Sequence, residues 1–186
     1  MRKILLAVWL LTSVSVMAQK QMRDMLRIMP EPLTPYLSEN NKLDLIDFKD
    51  AGMKAEVRNE LTGKSELLTL TQRYADFQLN EAHRMELFLL DVSHPDDSCG
   101  QIICVIDTYG KDIQESTIRF FSSAWLQLDT HQFCQLPAVM YTAVFHADSN
   151  ELVVTPSTAM DRPALEEQKP VEISSIKLKW TNNSFK

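Results

Sequence analysis

The sequence predicts an α+β fold, with two N-terminal helices packed on a mainly antiparallel, meander-like scaffold of about ten strands. Two observations carry this. Apolar residues recur at three- and four-residue spacing up to position 52, and at two-residue spacing from 53 to 182. Short turn-forming stretches also punctuate the second region at the intervals that hairpins require.

The first segment belongs to neither region. Arg2 and Lys3 form a positive start, Ile4 to Leu11 an apolar run, and Val16-Met17-Ala18 a set of small or β-branched residues at the cleavage positions. The alternative reading is a buried N-terminal helix. The apolar run is too short for a bilayer, which takes about 20 residues, and no later stretch is long enough. No Cys follows it to mark a lipid-anchored processing site. Residues 1–18 are therefore expected to be a cleaved signal peptide. The mature chain, 19–186, is expected to be one globular domain in the periplasm or secreted, without a transmembrane anchor.

Within that domain, residues 19–52 read as helical. Met22, Met25, Leu26 and Met29 share one face, and methionines so spaced usually fill a core. Pro30, Pro32 and Pro35 end this helix. A second helix is expected with Asn41 as its N-cap, Leu45, Ile46 and Phe48 toward the core, and Gly52 as its C′ residue.

Strands then follow from 53 to 182. Met53, Ala55 and Val57 form one apolar side, Leu61 to Lys64 a turn, and Leu68 with Leu70 the next apolar side. Ala75, Phe77 and Leu79 alternate with Tyr74, Asp76 and Gln78; Met85, Leu87 and Leu89 alternate with Arg84 and Glu86. These half-apolar strands imply a sheet with one wet face. The stretch 91–100 is the clearest loop and a candidate sub-boundary. Ile102 to Ile106 is apolar on both faces and belongs centrally in a sheet. Thr117–Phe121 is expected to pair with Trp125–Leu128, and Tyr141–Phe145 with Leu152–Val154 across Asp148-Ser149-Asn150. Residues 156–170, with three prolines, read as a long loop. In the last strand Ile176, Leu178 and Trp180 oppose Ser175, Lys177 and Lys179.

Composition excludes some functions. The net charge is −6, and loss of Arg2 and Lys3 with the signal makes the mature chain more acidic still. Without a basic cluster it lacks what phosphate backbones require, so nucleic acid is not an expected partner. Three cysteines, Cys99, Cys104 and Cys134, would meet an oxidising compartment. A Cys99–Cys104 bridge needs a turn at Gly100, since an extended stretch would hold the Cα atoms about 16 Å apart. A Cys104–Cys134 disulfide fits better if their strands are neighbours. Three buried reduced thiols are the other reading.

Few residues suggest chemistry. Asp91, His94, Asp96 and Asp97 could offer oxygens to a divalent ion, but they lack the glycine placement of a calcium loop, and Asp-rich loops with Pro are chiefly soluble turns. No metal and no cofactor are expected. His131 and Cys134 are three apart, which on a strand sends them to opposite faces unless the segment turns. Motifs for serine hydrolases, zinc proteases and nucleotide sites are absent from the sequence. No catalytic residue is therefore assigned. Phe120, Phe121, Trp125 and Phe133 are core where they point inward and a contact patch where they do not.

Ile102 to Thr108, then Ser116 to Phe121 and Trp125, together with the earlier Met29-Pro30, Pro35-Tyr36-Leu37 and Asp44 to Asp47, form a familiar order. In this the chain resembles a family of exported proteins of anaerobic Gram-negative, Bacteroidales-type bacteria known only as a domain of unknown function. The resemblance implies an envelope or secreted location and brings no activity and no functional residues. The expected function is a non-enzymatic envelope module that binds a protein, peptide or glycan through a sheet face or the 156–170 loop. The alternative is a small secreted hydrolase using carboxylates or Cys134.

Overall fold

The computed structural model describes residues 20–93, 100–157 and 174–186. The expected signal peptide, Cys99, and His94, Asp96 and Asp97 lie outside the described residues, as does most of the 156–170 loop.

Helix α1 is short, Met22–Arg27, and begins where Met22 N–H donates to Gln72 O at 2.8 Å. Helix α2 spans Glu39–Asp50. Its N-cap is Ser38, not Asn41: the Ser38 hydroxyl accepts from Asn41 N–H at 3.2 Å, and the Asn41 side chain instead reaches Arg58 O at 2.8 Å. The hydroxyl lies a full turn earlier than the asparagine and so catches the first unpaired donors. Gly52, at φ +69°, closes the helix at C′ as the sequence predicts. The two helices are tied by Arg23–Asp50 and Arg27–Asp47, both at 2.6 Å, and by the buried Lys42, whose ammonium donates to Met29 O at 2.6 Å.

Seven strands then run as a meander in chain order: β1 (Glu56–Arg58), β2 (Lys64–Leu70), β3 (Tyr74–Asn80), β4 (His83–Asp91), β5 (Gln101–Tyr109), β6 (Glu115–Ser122) and β7 (Gln127–Leu128). The stretch between β4 and β5 joins two strands that pair directly, Asp91 opposite Gln101 through His83 opposite Tyr109. A one-turn 3-10 helix, Thr130–Gln132, leads to a second antiparallel sheet of β8 (Tyr141–His146), β9 (Glu151–Pro156), β10 (Ile176–Thr181) and β11 (Ser184–Phe185).

The two sheets and the helices make three layers with two cores. On one face of the large sheet, α1 and α2 bury Met22, Leu26, Leu45 and Ile46 against Phe77, Leu79, Met85 and Val105. On the other, the small sheet buries Phe145, Leu152 and Val154 against Phe88, Cys104, Ile106 and Phe120. Strand β5 contributes to both cores, which is why Ile102 to Ile106 carries apolar side chains on both faces. Consecutive Phe120 and Phe121 go one to each core for the same reason.

Two further expectations change. Leu68 is not inward: a bulge between Leu67 and Thr69 inserts Leu68 as the extra residue, so Leu67 is fully buried and Leu68 is exposed. The face carrying Tyr74, Asp76, Arg84 and Glu86 is not simply wet, because the second sheet lies over part of it. Asp76 and Glu86 are buried there.

Candidate polar site beneath a sheet edge

Alternation in β3 and β4 places Tyr74, Asp76, Arg84 and Glu86 on one face, and register brings them together, with Asp76 opposite Glu86 and Tyr74 opposite Phe88. Arg84 grips Asp76 with two parallel bonds, Nε to Oδ1 at 2.9 Å and Nη2 to Oδ2 at 3.0 Å. Such forked pairing largely consumes the guanidinium. Glu86 receives less: Tyr74 Oη donates to its Oε1 at 2.8 Å, and Arg84 Nη2 reaches the same oxygen at 3.3 Å. Its other oxygen, Oε2, has no hydrogen-bonding partner among the described residues. Burial pushes the Glu86 carboxyl above its ordinary value, an effect that Arg84 and Tyr74 only partly offset. Burial likewise raises the Tyr74 phenol.

A cavity of about 170 Å³ opens over this cluster, with Gln78, Arg84, Glu86 and Thr108 on the large sheet and Thr142 to Val144 of β8 as the opposite wall. Among the described residues strand β8 is the edge of its sheet. Ser157 N–H donates to Met140 O at 2.7 Å, and Tyr141 lies opposite Pro156. Rungs alternate in an antiparallel ladder, so Thr142, Val144 and His146 bond to β9, while the backbone groups of Tyr141, Ala143 and Phe145 point away from it. The Ser116 hydroxyl accepts from Ala143 N–H at 2.9 Å. Phe145 N–H and C=O have no partner among the described residues.

The other polar clusters have different settings. Asp107, fully buried, accepts from Arg119 Nη2 at 2.5 Å on Oδ2 and meets His83 Nε2 at 2.9 Å on Oδ1. The His83 ring is enclosed by Tyr109, stacked at 4.3 Å, and by Tyr36. This cluster fastens the helix-side face of the sheet. His131 and Cys134 do come near one another, because the chain turns at Thr130–Gln132, and both line an open hollow of about 480 Å³ with Phe133, Leu178 and Phe185. His131 is exposed there, whereas Cys134 is buried. Burial pushes the Cys134 thiol up to about 11, the reverse of what a nucleophile needs. Cys104 and Cys134 both lie in the second core as free thiols, and burial also raises Cys104 well above its ordinary range. Asp91 is engaged by Arg73 at 2.9 Å. Of the aromatics, Phe121 and Trp125 enter the first core, Phe120 the second, and Phe133 packs half-buried against it.

Sequence reading assigns Tyr74, Asp76, Arg84 and Glu86 to a solvated face and so passes over the site. The available signal is that three charges and a phenol share one face of two neighbouring strands.

An α/β/β three-layer domain with a polar hollow under one sheet edge is thus the class of protein the fold defines. Over residues 13–184 the sequence matches the family described as "Protein of unknown function (DUF3256)", and the chain belongs to that family. A solved structure of similar fold is that of a domain of an uncharacterized protein from Porphyromonas gingivalis W83. The TM-score is 0.73 at 17% sequence identity, over 90% of this chain and 97% of that one. No curated protein matches the sequence. Among the described residues no helix is long and apolar enough to cross a membrane.

Proposed function

We propose that this chain is an exported, non-enzymatic binding module of the bacterial envelope that takes an extended polypeptide as an added strand on the free edge of β8. The carrying observation is that edge. Proteins usually guard exposed strand edges with Lys, Pro, bulges or covering segments. Tyr-Thr-Ala-Val-Phe-His has no Lys or Pro and no register shift against β9, and among the described residues Phe145 presents an unpaired donor and acceptor. An incoming strand supplies the matching groups, the physics of strand addition. The three-part order of residues 1–18 supports export. The raised Cys134 thiol weighs against thiol chemistry, and a cavity of about 170 Å³ admits one side chain more readily than a substrate with its leaving group.

Two measurements test the reading. Peptides selected from a displayed library on the mature protein are expected to slow amide exchange at Phe145. Selected peptides that leave β8 exchange unchanged overturn the binding mode. For location, the protein recovered from the envelope fraction should begin near residue 19; a cytosolic product retaining residues 1–18 overturns export.

A further inference from the structure

We infer that the added strand is chosen by a cationic side chain, of the lysine or arginine type, that enters the hollow under β8 and meets Glu86 Oε2. This rests on the strand-addition reading. Three features converge on the one chemistry. The first is charge: Asp76 and Glu86 face a single Arg84, so the cluster carries one uncompensated negative charge. The second is the unspent oxygen. Glu86 is 3% exposed, and its Oε2 accepts nothing, while Tyr74 and Arg84 both address Oε1. A carboxylate oxygen on the floor of a hollow with no donor among the described residues is an open acceptor, and an ammonium or guanidinium is the partner that binds it most strongly.

The third is placement. Phe145 lies over Phe88, with ring centroids 4.0 Å apart, and Phe88 is two residues along β4 from Glu86 on the same face. Ala143 is bonded over Ser116 of β6. The edge of β8, engaged by Ser116 at Ala143 and open at Phe145 among the described residues, therefore runs across the large sheet beside the hollow. A strand added to that edge sends alternate side chains down onto the large sheet, and one of them falls into the space walled by Thr142 to Val144 and floored by Glu86. Arg84 also lines the hollow, but its guanidinium is forked onto Asp76, and Gln78, Thr108 and Gln114 can accept from the remaining protons of the cation. An acidic side chain there would meet Glu86 with no free cation to balance it, since Arg84 is held by Asp76.

The test uses the mature protein and three blocked seven-residue peptides of alternating Thr and Val that differ at the central position, Lys, Gln or Glu. At about pH 7.5 the Lys peptide is expected to bind at least about tenfold more tightly than the Gln peptide, the difference a buried charge-assisted contact makes, and the Glu peptide weakest. Acetylating the peptide lysine should erase the advantage. Glu86→Gln should bring the Lys peptide to within about twofold of the Gln peptide. The acetylated peptide keeps the inference falsifiable if that variant fails to fold. Equal binding of the Lys, Gln and acetyl-lysine peptides, with Phe145 protected in each complex, overturns the cation inference and leaves strand addition standing. Failure of all three to bind overturns both.

Discussion

The indole Nε1 of Trp125 donates to the backbone carbonyl of Met25, 3.0 Å away and 100 residues earlier in the chain. Helix α1 is only six residues long, so that carbonyl has no partner further along it. Trp125, held at φ +61° in the turn between β6 and β7, acts as the cap and packs on Phe121. Trp125→Phe keeps most of the ring and removes the donor. It should cost about 1–3 kcal/mol, the usual penalty for a stranded buried acceptor, read from chemical denaturation of the mature protein.

A second prediction concerns Asn59, which organises the turn between β1 and β2. Its Oδ1 accepts from Leu61 N–H at 3.1 Å and Gly63 N–H at 3.0 Å, while its Nδ2 reaches Ser65 Oγ and Leu79 O, both at 3.1 Å. Asn59→Asp keeps the acceptor and turns the donor into a repelling oxygen beside Leu79 O. The variant should lose about 2 kcal/mol or more, and Asn59→Ala a similar amount through four lost bonds. A change in denaturation midpoint smaller than that of a surface substitution would count against the turn's role.

The loop between β5 and β6 depends on Gly110. It adopts φ +103°, and a Cβ there would lie 1.9 Å from Ile113 O. Gly110→Ala must move backbone, so it should destabilise by more than about 1 kcal/mol, whereas Gly52→Ala meets no atom and should suffer only from its positive φ. Comparing the two melting temperatures separates steric from conformational cost.

Removing Asp107 strips both His83 and Arg119 of their shared acceptor. Asp107→Ala should cost about 3 kcal/mol, because a partly buried guanidinium is left without its counter-ion. Double substitution with Arg119→Met should recover part of the loss, measured as a coupling in a double-mutant cycle.

Glu86 gives a pH signature. Its folded carboxyl lies above the ordinary 4.5, through burial first, against the opposing pull of Arg84 and Tyr74, with Asp76 raising it further and His146 lowering it. A raised carboxyl makes the folded state the better proton binder, so its ionisation weakens the fold as pH rises through the folded pKa. Glu86→Gln removes that titration. The melting temperature of Glu86→Gln minus that of the unmodified protein should therefore be more positive at about pH 7.5 than at about pH 4.5. A difference that does not move with pH would contradict the raised carboxyl.

Much of the fold is legible in one dimension. Ala75, Phe77 and Leu79, then Met85, Leu87 and Leu89, alternate in sequence and are all buried on the helix side. The doubly apolar run from Ile102 sits centrally between β4 and β6, as expected. Leu68 fails because a bulge is a pairing event: it depends on what Phe77 and Asp76 offer across the ladder, and nothing within β2 announces it. The N-cap of α2 fails by one turn because Ser38 and Asn41 are both good caps, and only the path of the incoming chain chooses between them.

By itself, the sequence determined which residues alternate, which strand carries apolar groups on both sides, and that helices precede a meander. Those are local consequences of side-chain period and backbone freedom. Tertiary structure alone decided that β8 to β11 fold back over the face bearing Tyr74, Asp76, Arg84 and Glu86. Periodicity assigns a side chain to a face, but whether water or protein covers that face depends on a segment some 60 residues away, and with it the burial of Glu86 and the hollow above it.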